Sequence, residues 1–287
     1  MPPREPGTQA RTWICPSCDK RRTGRFCPQC GEERLRPHDL TLGDFAVRLA
    51  ENVSSIDGKL VRSFRSILTA PGVLTAAHVR GQRRQFLGPL ALFFIANGVF
   101  VLLQSLLDMH TLSSPLDSHL HEQDWSGLAR SMVNHRLQTN GQSLAAYAAV
   151  FDEAVAFNSK TLMILMVLAF VPLPIVLFRR QHRAIGAHFV FVLHLYVFVL
   201  ALLCVALLLA EAEFLLGGQG LYSPVVDLVL SLFNLAACGL YIYAALGPAY
   251  NATGAKRVIK AAVLAGAVGA LFVGYRFAIF LITFYTT

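Results

Sequence analysis

The chain has 287 residues, 55% of them hydrophobic and only 15% charged, with a net charge of +8. So few charges at this length argue against a soluble globular domain, and the clustering of the apolar residues into long runs points to membrane spans. The charge is uneven: residues 1–86 carry 15 Lys/Arg against 8 Asp/Glu, whereas residues 108–159 carry 2 against 6. That asymmetry reads as topology before it reads as binding. The expected fold class is an all-α integral membrane protein with about five transmembrane helices. A small N-terminal zinc-ribbon-like module and amphipathic helices on the cytoplasmic side complete it.

Residues 1–12 hold three prolines, a glycine and no apolar pattern, and read as a disordered lead. No apolar h-region of a secretory signal follows. Residues 13–36 form the first module. Its core, W-I-C-P-S-C-D-K-R-R-T-G-R-F-C-P-Q-C-G, contains two C-P-x-C turns, Cys15/Cys18 and Cys27/Cys30. A tight turn lets two thiolates face one point, and two such turns complete a tetrahedral metal site, which predicts structural zinc. Four thiolates leave no open position, so the site is not hydrolytic. So short a segment cannot bury enough apolar surface to offset its conformational entropy, so metal is expected to stabilise it. Ile14, Trp13 and Phe26 are candidates for its few apolar contacts.

Residues 37–86 read as amphipathic helices. Leu42, Phe45, Leu49, Val53, Ile56, Leu60, Phe64 and Ile67 recur at helical spacing. Thr41 with Asp44 resembles a capping box. Asp57-Gly58 is expected to break the run and Pro71 to stop it. A short helix over 72–80, closed by Gly81, follows. The polar faces carry Arg48, Lys59, Arg62 and Arg65, then Arg80, Arg83 and Arg84. The apolar stripe could lie on lipid or on other helices.

Residues 87–287 form the membrane domain, with spans near 87–107, 160–178, 187–210, 225–246 and 258–285. Pro172 and Pro174 are expected to kink the second. Arg179, Arg180 and Arg183 sit between spans two and three, and Lys256, Arg257 and Lys260 between four and five. The acidic residues concentrate in the alternate loops, above all in 108–159, a long connection with its own amphipathic helices broken near Asn140-Gly141. The positive-inside rule then places the N-terminus in the cytoplasm, the 108–159 loop outside it and the C-terminus outside.

The ordered combination of C-P-S-C…F-C-P-Q-C-G, I-D-G-K-L-V-R-S-F, L-T-A-P-G and V-R-G-Q-R-R-Q-F-L-G-P resembles a bacterial membrane family catalogued as domain of unknown function 3667. The resemblance spans roughly residues 13–100. It implies a zinc-ribbon-like head, a multi-span tail and a bacterial inner-membrane location, and it carries no activity.

Candidate functional residues beyond the four cysteines are few. Arg80, Arg83 and Arg84 are expected to anchor topology or contact anionic lipid or ligand. Arg276 lies within the fifth span and Asp227 at the outer end of the fourth, so the two could pair. His188 and His194 on the third span are six residues apart, about 240° around a helix, and do not share a face. With His182 they give no metal or haem site. Asn97 and Asn234 are mid-span hydrogen-bonding groups. No G-x-S-x-G, Walker loop or H-E-x-x-H is present, and the basic head lacks an aromatic platform for nucleic acid. The sequence therefore favours a non-enzymatic membrane protein whose cytoplasmic zinc head recognises or reports on a protein partner. The alternative is a small-solute or lipid transporter or channel. The bilayer is the one certain partner, and an oligomer is left open.

Overall fold

The computed structural model describes residues 12–30, 32–34, 57–107, 114–181, 183–218, 220 and 223–287. The lead, the expected helix over 39–56 with its Thr41–Asp44 cap, and His182 lie outside the described residues.

The head holds β1 (Trp13–Ile14) and β2 (Arg21–Arg22), antiparallel, with Trp13 opposite Arg22 and Ile14 opposite Arg21. The first C-P-x-C turn connects them. Asp19 closes that turn at φ 54, a left-handed position that Asp tolerates better than most side chains. A bridge between Phe26 and Glu33 flanks the second C-P-x-C turn.

Eleven α-helices follow among the described residues. α1 (Asp57–Thr69) opens the described part of this region, so the expected break at Asp57-Gly58 borders residues outside it; α2 (Val73–Arg80) begins beyond Pro71. Gly81 closes α2 at φ 92, a backbone state only glycine adopts without strain. Its N–H bonds His78 O, and the Gln82 N–H bonds Ala77 O, satisfying carbonyls that the helix end leaves open. α3 (Pro89–Leu106) carries proline in its first turn, where a missing N–H costs nothing. α4 (Leu116–His121), α5 (Ser126–Asn140) and α6 (Leu144–Thr161) fill the long connection, with Gly141 as the expected break at φ 65. Then come α7 (Ile164–Phe170), α8 (Pro172–Leu177), α9 (Ile185–Leu215), α10 (Pro224–Tyr250) and α11 (Gly254–Thr286).

Among the described residues, α3, α9, α10 and α11 are each long and apolar enough to cross a membrane. The fifth crossing is a bent pair, in which Leu144–Ser159 and Ile164–Leu177 meet at 58°. The expected span at 160–178 is therefore not one helix. Its straight part rises only about 21 Å at 1.5 Å per residue, short of the roughly 30 Å hydrocarbon core. The last turns of α6 complete it. α6 runs antiparallel to the end of α11: Tyr147 OH reaches Thr287 Oγ1, and Tyr275 OH donates to Ser159 O at 2.7 Å. At the other end of α11, Lys260 donates to Leu177 O at 2.7 Å. Residues 147–177 thus run alongside the length of α11, and counting them as one span gives five crossings among the described residues.

α9 is the axis. It is apolar all round, and 56% of its most apolar window is buried, against 17% for α10. α3 packs along one side of α9, α10 and α11 form a hairpin on another, and α2 wedges between α9 and α10. The apolar stripe of 57–81 therefore faces protein: Ile67, Leu74 and Ala77 are buried in the common core, with Leu60 and Phe64 packed against it.

Candidate metal centre and its docking loop

The four sulfurs of Cys15, Cys18, Cys27 and Cys30 lie within 4.8 Å of one another. Cys15 Sγ is 3.4 Å from Cys30 Sγ, and Cys18 Sγ is 3.5 Å from Cys27 Sγ. A tetrahedron with metal–sulfur bonds of about 2.3 Å has edges of about 3.8 Å, so the set fits a metal ion. Each C-P-x-C turn supplies one partner of each pair, so neither turn alone makes the site. The surrounding donors also suit thiolates. Burial opposes ionisation of Cys27. The N–H groups of Cys30 and Gln29, with the Arg22 guanidinium 3.4 Å away, outweigh it and bring the thiol down to about 5. The Glu32 N–H favours the Cys30 thiolate. Burial and the three neighbouring sulfurs override it and push that thiol up to about 12. A bound cation removes the mutual repulsion that keeps Cys30 protonated.

The sulfur cluster is itself the core of the head. Cys15 and Cys27 are fully buried, whereas Ile14 is 62% and Phe26 53% exposed. Those two side chains were expected to fill a small core and do not. Trp13 instead ties the sheet together, its indole N–H donating to Gly24 O at 2.7 Å.

The head rests on the loop between α2 and α3. Glu32 is 2% exposed, a nearly complete burial for a carboxylate. Its Oε1 accepts from the Arg83 N–H at 3.1 Å, and its Oε2 from Ser17 Oγ at 2.7 Å and the Arg84 N–H at 3.4 Å. The Gln82 amide donates to Pro16 O. Arg83 and Arg84, expected to anchor topology or contact anionic lipid or ligand, meet the head through their main-chain N–H groups. Arg80 is exposed in the last turn of α2, where a positive charge complements the helix dipole.

The docking loop is fixed from below. Leu87 N–H donates to Ser63 Oγ at 2.9 Å, and Arg62 Nε to Gln85 O at 3.2 Å. α2 beneath it is locked to the bundle: Thr75 Oγ1 and His194 Nδ1 share a hydrogen bond of 2.9 Å, and His78 packs edge-on against His194 at 5.2 Å. Gly72 sits at φ 80 against α10, where a Cβ would overlap the Ala245 carbonyl. Burial pushes the His78 imidazole well below its ordinary value.

With this geometry in place, the comparisons can be stated. Residues 57–101 match the model of a family described as protein of unknown function, DUF3667. The match bears out the family resemblance over α1, α2, the docking loop and most of α3. No curated protein and no solved structure matches the chain. The DUF3667 segment is thus the part that joins the head to the axis helix α9.

The remaining sequence candidates lie elsewhere. His188 and His194 have separate partners, as their spacing predicted: His188 Nδ1 shares a 2.9 Å hydrogen bond with Tyr250 OH. Asp227 is exposed in the first turn of α10, where its charge complements the helix N-terminus. The α10–α11 hairpin pairs Gly239 with Ala265 and Leu235 with Gly269, a register that sets Asp227 level with Arg276 and Phe277. Arg276 also lies near His119, whose imidazole burial and then the Arg276 charge hold below its ordinary value. Inside the bundle, Asn97 Oδ1, His194 Nε2, Tyr196 OH and Asn234 Oδ1 are buried with no hydrogen-bond partner among the described residues.

Proposed function

We propose that this is a non-enzymatic, multi-pass protein of the bacterial inner membrane whose cytoplasmic zinc head recognises a protein partner or reports on it. The observation that carries the reading is the closed set of four sulfurs within 4.8 Å, which leaves a bound metal no open position for chemistry. Zinc is the ion that suits four thiolates in tetrahedral array with no redox role. The cytoplasmic placement follows from charge. The docking loop, Arg179–Arg183 and Lys256–Lys260 gather at one end of the bundle, with Gln181 donating to Tyr250 O and Lys260 to Leu177 O. Positive residues favour the cytoplasmic side, which puts the N-terminus inside and the C-terminus outside. Arg80 and Arg84 at that end then face anionic headgroups.

The test is the Cys27→Ser, Cys30→Ser double variant in the full chain. Zinc measured by mass spectrometry should fall from one ion per chain to none, and crosslinked partners of the head should be lost, with membrane insertion unchanged. Retention of the same partners by the metal-free variant would overturn the recognition role.

A further inference from the structure

Both cysteine turns, and not one alone, reach the docking loop. The first turn supplies Pro16 O, which accepts from the Gln82 amide, and Ser17 Oγ, which donates to Glu32. Glu32 follows the second turn by two residues, and its main chain is part of that turn. Its N–H is directed at Cys30 Sγ, and its carbonyl accepts the Cys27 N–H at 2.8 Å. The Glu32 side chain then takes the N–H groups of Arg83 and Arg84. Hydrogen bonds from main-chain donors to a buried carboxylate are of the stronger kind, and a carboxylate deprived of them is costly to keep buried. The receptor side also has ties of its own that do not involve the head, from Ser63, Arg62 and the Gly81 turn.

We propose that the metal-loaded head is a latch: by drawing the two cysteine turns together, the ion assembles Pro16, Ser17 and Glu32 into one surface that clamps the Gln82 side-chain amide and the Arg83 and Arg84 N–H groups at the entrance to α3. Metal loss separates the turns, withdraws the Glu32 carboxylate and frees the head from the bundle. The inference rests on the metal-holding reading of the head and is independent of whether a partner protein exists. The basic end of the membrane domain is accordingly covered in the metal-loaded protein and uncovered in the metal-free one. The head is then a reversible cap on the segment between α2 and α3.

Hydrogen–deuterium exchange on the full chain in detergent micelles tests this, comparing zinc-loaded protein with protein stripped by a chelator. Peptides over 81–86 should exchange about tenfold or more faster after stripping, the loss expected for hydrogen bonds to a charged acceptor. Peptides over 57–69 should not change, which separates undocking from general unfolding. Glu32→Ala should reproduce the faster exchange at 81–86 with one zinc per chain retained. Gln82→Ala, which lies outside the head, covers the case in which Glu32→Ala loses its metal. It should accelerate exchange in peptides over 15–20 while zinc stays bound. Unchanged exchange at 81–86 in zinc-loaded Glu32→Ala, or after stripping, would overturn the latch. So would unchanged exchange at 15–20 in Gln82→Ala if Glu32→Ala fails to hold zinc. Retention of the partner crosslinks by the metal-free variant, with the exchange behaviour as expected, would instead strike only the recognition role.

Discussion

The two ends of the bundle are closed by different chemistry. At the basic end the ties are directional and end on main-chain groups: Glu32 to the Arg83 and Arg84 N–H, Lys260 to Leu177 O, Gln181 to Tyr250 O and Arg257 to the carbonyls of Tyr243 and Ala244. Lys260 caps the C-terminus of α8, where its charge also offsets the helix dipole. At the opposite end hydrogen bonds from Arg136 to Phe284 O and from Asn158 to Thr283 Oγ1 are joined by extensive aromatic packing. His119 packs on Phe280 at 4.8 Å, Trp125 on Phe277 at 5.2 Å, and Arg136 lies over the Phe284 ring at 4.8 Å. Aromatic packing is broad and tolerant, whereas a main-chain hydrogen bond is made or lost as a unit. The basic end is therefore the one suited to switching, and the aromatic end to holding.

Glycine substitutions should separate the ends most sharply. Gly72→Ala forces a side chain into the Ala245 main chain at φ 80 and should cost about 2–5 kcal/mol from strain and overpacking together. Gly141→Ala, at φ 65 with nothing within 4 Å, should cost only about 1–2 kcal/mol. Thermal unfolding in detergent measures both, and equal losses would remove the distinction. The next effect is acid sensitivity. Burial lowers the folded values of His78 at the basic end and, with help from Arg276, of His119 at the aromatic end. A depressed histidine contributes stability above its unfolded value near 6.5 that is lost as pH falls below it. Tm should therefore drop from pH 7 to pH 5. His78→Gln and His119→Gln should each flatten part of the slope; a slope untouched by both would refute the assignment. The smallest effect concerns Asp227 and Arg276, level across the α10–α11 hairpin. Exchanging them should recover roughly 0.6 kcal/mol of the loss caused by either single reversal, the usual size of interhelical polar contacts in membranes. A swapped protein no better than the singles would dismiss the pair.

Much of this was legible in the residue pattern, because it is written in side-chain period and punctuation. The Pro71 stop, the Gly81 close and the Gly141 break all stand where the sequence places them. The long apolar runs gave α3, α9, α10 and α11. The bent crossing was harder, since α6 is only weakly amphipathic and the turn lies where no proline marks it, between Ser159 and Ile164. The metal site was readable from cysteine spacing alone. Its dock was not: Arg83 and Arg84 act through N–H groups that every residue possesses, and a glutamate two positions after Cys30 breaks no pattern. Ile14 and Phe26 misled because sulfur, not hydrocarbon, fills the centre of the head.

The pairing of α3 with α9 also has a consequence for biogenesis. α10 and α11 are joined by three residues and can enter the bilayer as a hairpin. α3 begins at Pro89 and its main neighbour at Ile185, 96 residues later (185 − 89 = 96). At ribosomal rates that gap lasts about 5–20 s. For that interval α3 resides in lipid without the surface that later buries Phe93 and Phe100. Its 18 residues carry no charged side chain, which lets it wait there alone.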